Sequence, residues 1–246
     1  MSETDHTICR LSVNVNKIAL LRNSRGGNRP DLLTLAADIE RYGAHGITVH
    51  PRPDERHVRF DDLAPLKAQT VGEFNIEGYP DERWMQAVLA IRPAQATLVP
   101  DPPGALTSSA GWDTTAQRSR LTEICSEFRR NGIRASIFID ADPRMAEGAA
   151  AAGADRIELY TGPYAEHFPH NREAAIAPYL PAAAAAHAAG LGINAGHDLD
   201  LNNLAYFHQQ IPHLAEVSIG HAIISDALYF GLENVVRMYL HQLNKK

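Results

Sequence analysis

One short β-rich run followed by one helical run, repeated eight times, is the feature that most constrains this chain. LSVNV (11–15) is followed by a polar, glycine-containing loop and by the helical pattern DLLTLAADIERYG from Asp31. ITVH (47–50) precedes a short helix near 61–69, EFNIEG (73–78) a helix at 81–91, and ATLVP (96–100) a long loop with a helix at 114–131. ASIFID (135–140) leads to a helix at 143–152 and DRIELY (155–160) to one at about 172–189. GINAG (192–196) leads to a helix near 200–209, and EVSIG (216–220) to a C-terminal helix of about 224–243. Strands that alternate with helices of this length pair in parallel, because the helix carries the chain back to the same edge. Several strands are rich in Val, Ile and Leu, as expected of parallel strands buried on both faces. RYGAHG, AAGADR and AAGLGI each set a glycine between helix and strand, where a left-handed cap ends the helix. Eight units with no GxGxxG turn favour a closed (β/α)8 TIM barrel, an α/β fold, over an open dinucleotide-binding sheet. The 246 residues suit one such barrel, so 1–246 is read as a single domain with 1–10 as a polar N-terminal extension.

Charge and cysteine usage narrow the function classes. The formal charge is -6, and no Lys/Arg run exceeds Arg129-Arg130 before the last two residues, which argues against a nucleic-acid partner. Cys9 and Cys125 lie far apart without metal-ligand spacing and are read as reduced thiols. The start, MSETDHTICR, lacks the basic-then-apolar pattern of a signal peptide. The most apolar stretch is interrupted by Pro178, Pro181 and His187, too short for a membrane span. A cytoplasmic protein with no membrane partner is the expectation.

In a barrel of this type the reactive face gathers at the C-terminal ends of the strands. Reading those ends gives Asn14, Asn16 and Lys17, then His50, Glu77, Asp101, Asp140, Glu158, His197 and His221. One such residue alone is more often a hydrogen-bonded cap than a catalyst. So many converging on one rim point to chemistry, since unpaired buried charge costs several kcal/mol. His50 and Glu77, each ending a buried strand, form a plausible proton-transfer pair near neutral pH. The glycine-containing exits Asn194-Ala195-Gly196-His197 and Ile219-Gly220-His221-Ala222 lie where barrels bind phosphate. Arg22, Arg25 and Arg52 add cationic charge at the first two exits, so a phosphorylated small substrate is expected. Asp54, Glu55 and Arg56 read as a solvated, salt-bridged loop. The segment PDPPGALTSSAGWD (100–113) is read as a candidate lid over the rim.

VNVNKIALLRNSRGG, GITVHPRPDERHV, FNIEG, LVPD, SIFIDAD, IELYTGPYA, NAGHDLDLNN and IGHAIISDALYFGL together resemble the pyridoxine 5′-phosphate synthase family of vitamin B6 biosynthesis. The likeness runs from about Leu11 to the last helix, with one motif at each strand exit. It implies a transferase-type synthase that condenses 1-deoxy-D-xylulose 5-phosphate with 3-amino-2-oxopropyl phosphate, giving pyridoxine 5′-phosphate, phosphate and water. The resemblance implies no metal and no organic cofactor, two small phosphorylated substrates, and a homo-octamer built from dimers. By the same resemblance His50, Glu77 and His197 are acid–base residues, and Glu158 is a carboxylate that stabilises charge. Asn14, Arg25, Gly220 and His221 match the amino-ketone phosphate site, and Arg52, His57 and Thr107 the deoxyxylulose phosphate site.

Two departures from the family pattern stand out. Many members carry Asp-His where this chain has Asn16-Lys17; lysine still contacts phosphate as a point charge but does not shuttle protons as imidazole does. Asp198 stands where a glycine often follows the catalytic histidine. It remains a substrate-contact position, with its carboxylate expected to turn away because it would repel phosphate. Rival readings are a metal-dependent barrel lyase or aldolase using His50, Glu77, Glu158 and His197 as ligands, a non-catalytic pyridoxine-phosphate-binding barrel, and a Schiff-base aldolase using Lys17.

Overall fold

The computed structural model describes residues 8–101 and 108–245. Eight parallel strands, β1 (Arg10–Asn14), β2 (Gly46–Val49), β3 (Glu73–Gly78), β4 (Gln95–Leu98), β5 (Arg134–Ile139), β6 (Arg156–Leu159), β7 (Gly192–Ala195) and β8 (Leu214–Ile219), pair in sequence order. The sheet closes where β8 pairs with β1. Each strand lies within about two residues of its expected span.

The surrounding helices follow from local signals. Helices α2 (Leu32–Arg41), α4 (Glu82–Ile91) and α6 (Pro143–Ala151) begin behind Asp31, Asp81 and Asp142, whose carboxylates accept the backbone N–H of Thr34, Trp84 and Arg144. Helices α3 (Phe60–Gln69) and α5 (Arg118–Arg130) follow β2 and β4 in the chain. One helix lies where the sequence reads as loop: α1 (Asn16–Asn23) starts directly after β1 and buries Ile18, Ala19 and Arg22. Only two of its buried residues are apolar, so its periodicity is too weak to stand out beside the glycine-rich tail.

The expected helix at 172–189 is two pieces, α8 (Arg172–Ile176) and α9 (Tyr179–Ala188), and a further short helix, α7 (Gly162–His167), precedes them. Pro178, which has no N–H to donate, sits at the break. Helix α10 (Leu204–Gln210) follows β7, and the C-terminal helix is two, α11 (His221–Phe230) and α12 (Leu232–Leu243). Gly231 between them has φ 78 and ψ 148, which no helix accommodates and which glycine adopts without a Cβ clash. Among the described residues no helix is long and apolar enough to cross a membrane.

The strands are buried on both faces, but the two faces differ in kind. Leu11, Val13, Ile47, Val49, Phe74, Ile76, Ile137, Ile157 and Val217 are fully buried and alternate with polar residues. Ser12, Thr48, Asn75, Thr97, Ser136, Asn194 and Ser218 are the alternates, equally hidden. Asn194 Nδ2 on β7 donates to Gln95 Oε1 on β4 at 3.4 Å, a contact across the barrel that only inward side chains can make. Ser12 and Thr48 hydroxyls meet at 2.7 Å, and Thr97 donates to Asn75 Oδ1 at 3.1 Å. Below this layer Glu73 pairs with Arg10 and Arg134, and Arg156 lies 3.4 Å from Glu216. The interior is therefore hydrogen-bonded, where most barrels of this fold fill it with branched aliphatic side chains.

Closure between β7 and β8 depends on Gly196. A Cβ there would lie 1.9 Å from the Ser218 carbonyl oxygen, a backbone atom that cannot swing aside. Overpacking costs about 1–3 kcal/mol where neighbouring side chains can yield. Gly196→Ala is expected to cost at least the upper end of that range, read as a lower urea midpoint at unchanged slope; an unshifted midpoint would show that the seam is looser than described.

Candidate active site

The inward alternation carries polar groups up to the mouth of the barrel, where they surround a cavity of about 460 Å³. Asn14 from β1, His50 at the end of β2, Glu77 from β3, Glu158 from β6, and His197 just beyond β7 all line it. The acid–base set expected from the sequence thus shares one space.

Glu77 sits at its centre. Its Oε2 accepts from Asn14 Nδ2 at 3.3 Å and lies 3.8 Å from His50 Nδ1, and its Oε1 accepts from Ser218 on the opposite wall at 3.4 Å. The Trp84 indole N–H donates to the Glu77 carbonyl at 3.0 Å and ties the strand end to α4. His50 is held from behind: its backbone N–H donates to Asn16 Oδ1 at 3.0 Å, and the Asn16 N–H donates to Asn14 Oδ1 at 3.0 Å. Asn16, one of the two departures, thus positions the histidine. Ser218 escaped the sequence reading because a strand serine alternating with Val217 and Ile219 carries no signal of its own.

Burial sets the protonation states. Desolvation raises the Glu77 carboxyl to about 7, against the opposing pull of His197 and the Ser218 hydrogen bond. Glu158 is raised well above the usual carboxylate range by burial first and then by Glu77 and Glu216. Its Oε2 is buried with no hydrogen-bond partner among the described residues. His50 is pushed well below the ordinary imidazole value by burial, with Arg52, His57 and His197 adding to it. His197 goes the other way: burial lowers it, but the hydrogen bond and charge of Asp198, then Glu77 and Asp101, carry it above the ordinary value. At neutral pH His50 is therefore a neutral imidazole, His197 a more basic one, Glu77 a poised carboxyl and Glu158 a protonated one.

Lysine, arginine and a further histidine line the cavity as well. Lys17, Arg52, Arg56 and His57 border the same cavity. Arg52 Nη2 donates to Asp101 Oδ2 at 2.8 Å, which also accepts from Ser108 at 2.7 Å. The His57 imidazole is lowered to about 4 by burial and then by Lys17, Arg56 and Arg52, and its buried Nδ1 lacks a partner among the described residues. Asn23 on α1 donates its amide to the carbonyls of Glu55, Arg56 and His57, at 3.3, 3.1 and 2.7 Å, which pins the loop that carries Arg52, Arg56 and His57. A second cavity of about 320 Å³ adjoins, sharing His50, Arg52 and Arg56 and walled by Phe60, Tyr79 and Trp84.

Not every expected residue comes to the mouth. Gly220 lines the cavity as the N-cap of α11, with the exposed His221 beside it. Arg25 lies exposed on the loop after α1 and does not border the cavity. Arg22 is buried and clamped by both carboxylate oxygens of Asp62 at 2.7 and 2.8 Å, so it serves the α1–α3 contact rather than an anion. Asp140 is exposed and accepts the Gly111 N–H, the capping role that lone strand-end acids commonly have. Thr107 and the central part of the candidate lid, 102–107, lie outside the described residues. Asp198, expected to turn its carboxylate away from phosphate, borders the cavity and has Oδ2 2.7 Å from His197 Nδ1. A hydrogen-bonding imidazole next door outweighs the repulsion that motivated the expectation. Among the described residues no three His, Cys, Asp or Glu side chains converge as a metal-ligand set.

Comparison with known proteins gives the family. A pyridoxine 5′-phosphate synthase of Cytophaga hutchinsonii is 61% identical, covering 96% of this chain and 99% of the relative. One from Flavobacterium johnsoniae is 58% identical, covering 95% and 99%. Among solved structures, phosphoribosylanthranilate isomerase from Thermotoga maritima superposes with a TM-score of 0.59 at 12% identity, over 96% of this chain and 98% of that one. A tryptophan synthase chain from M. tuberculosis reaches 0.65 at 9% identity, over 98% and 94%. At such identities the structural likeness shows the barrel alone. The family described as pyridoxal phosphate biosynthesis protein PdxJ matches residues 11–245, and with relatives this similar over nearly their whole length the chain belongs to that family.

Proposed function

We propose that this chain is a pyridoxine 5′-phosphate synthase that closes the pyridine ring from 1-deoxy-D-xylulose 5-phosphate and 3-amino-2-oxopropyl phosphate. The observation that carries this is one cavity bordered by the imidazoles of His50 and His197 and the carboxyls of Glu77 and Glu158, each in a different protonation state, with Lys17, Arg52 and Arg56 beside them. Ring closure needs such a mixture. The amine of one substrate condenses with the ketone of the other and loses water, proton removal gives an enamine, and one phosphate leaves. A carbon–carbon bond then closes the ring, and a second water is lost. Every step moves a proton on or off carbon, nitrogen or oxygen, and each well-placed group contributes about 10²–10⁴-fold.

Glu77, poised near neutrality and 3.8 Å from the neutral His50, takes the early protons. His197 returns protons in the later dehydrations. Glu158, kept protonated by burial, offers an O–H to developing negative charge, as a desolvated carboxylic acid can. Asn14, Gly220 and His221 face one phosphate, and Lys17, Arg52 and His57 the other. The same reading carries Arg25 and Thr107 as phosphate contacts and a homo-octamer of dimers, for which the exposed Leu21, Leu228, Tyr229 and Phe230 offer apolar surface.

The direct test supplies both phosphorylated substrates without added metal. Pyridoxine 5′-phosphate and free phosphate in equal amounts are expected; phosphate release without the pyridine product would point to a lyase. Glu77→Gln should lower kcat by about 10²–10⁴-fold with KM little changed. A variant that turns over normally removes Glu77 from the mechanism. The pH profile follows from the shifts. Glu77 works as a carboxylate, so kcat rises as pH climbs through about 7. His197 works as a donor, so kcat falls again above its raised value. The result is a bell, and a flat profile through the neutral range contradicts the assignment.

A further inference from the structure

We propose that Asp198 is a positioning residue for His197: its carboxylate holds the Nδ1 proton, fixes the imidazole plane and leaves Nε2 as the nitrogen that exchanges protons with substrate. The inference rests on the reading of His197 as an acid–base group. It replaces the substrate contact that family resemblance suggests for this position.

The backbone makes the pairing local and rigid. The Leu199 N–H donates to the Gly196 carbonyl at 2.7 Å, so His197 and Asp198 are the two central residues of a tight turn. The turn is fastened to its surroundings at Asp198 itself. Its N–H donates to the buried Thr161 Oγ at 3.2 Å, and its carbonyl accepts from Asn203 Nδ2 at 3.4 Å. Asn203 is held in turn, its carbonyl accepting the Tyr164 hydroxyl at 2.8 Å. Tyr160 meets the His197 ring edge-on, with centroids 6.1 Å apart. With that wall on one side and a 2.7 Å contact at Nδ1, the ring has a set orientation.

The chemistry gains in two ways. A neutral histidine has one N–H and one lone pair, and a carboxylate at Nδ1 decides which nitrogen carries each. It also makes the imidazolium more stable, as the raised His197 titration reflects, with Glu77 and Asp101 acting in the same direction. His50, buried nearby, is lowered partly by the His197 charge. Imidazolium and carboxylate together carry no net charge, so an acid in this position adds little repulsion toward the phosphate beside Gly220 and His221.

The test reads the imidazole directly. Two-bond 15N–1H spectra of histidine-labelled protein, with His197 assigned through His197→Gln, report its tautomer and titration. Asp198→Asn keeps an acceptor at Nδ1 but removes the charge; Asp198→Gly removes both. For Asp198→Asn the Nδ1–H form is expected to persist while the titration moves to lower pH, and the alkaline limb of kcat moves with it. For Asp198→Gly the Nδ1–H preference is lost and kcat falls about 10–100-fold, part of what a positioned acid–base group supplies, with KM little changed. An unchanged tautomer and titration in both variants overturns the proposal. So does a rise in KM at unchanged kcat, which makes Asp198 a substrate ligand. Failure of the parent protein to form the pyridine product would sink the synthase reading while the spectra still decide the pairing.

Discussion

A barrel filled with polar side chains holds together only if those side chains satisfy one another, and the rest of this structure depends on that condition. Each unpaired buried polar group costs about 1–3 kcal/mol. The ladder from Ser12 through Thr48 and Asn75 to Thr97, the Asn194–Gln95 bridge and the Arg–Glu base meet most of that demand. The outer faces of the same strands supply the hydrophobic cohesion with the helices. One strand thus does two jobs at alternate positions.

The same condition explains the cavity. A polar interior can end in ionisable groups at the mouth without an apolar belt intervening, so Asn14 and Ser218 of the interior reach the oxygens of Glu77. What differs among the four titratable groups is company. His50 is surrounded by cations and burial, and stays neutral. Burial drives both Glu77 and Glu158 upward, with Asp101 and Glu216 adding at Glu77, and Glu77 and Glu216 adding at Glu158. His197 alone has a carboxylate in hydrogen-bond contact and goes up against the effect of burial. Groups of the same chemical type are separated in this way by their surroundings.

Much of this is legible in the sequence, and the rest is hidden for definite reasons. The eight strands and the residues at their ends are visible because period and punctuation are local properties. That the inner face is polar was also written in LSVN, FNIE and VSIG, yet the weight of Val, Ile and Leu in these runs suggests apolar burial on both sides. Helix α1 was invisible because its eight residues carry only a short apolar stripe. Arg22 and Arg25 look equivalent as cations near one exit; which of them meets Asp62 is a tertiary fact. The direction of Asp198 likewise depends on a turn held by Thr161, far away in sequence.

The amide of Asn23 gathers three successive carbonyls of the loop that bears Arg52, Arg56 and His57. Beside it, the Arg22–Asp62 clamp locks α1 to α3. The freedom of that loop is therefore lost when the chain folds and not when the proposed phosphate arrives. Ordering rotamer-rich side chains at the moment of binding costs about 0.5–1.5 kcal/mol each. A receptor whose cations are already immobilised spares its ligand that loss, so capture is governed more by desolvating the anion than by organising the protein.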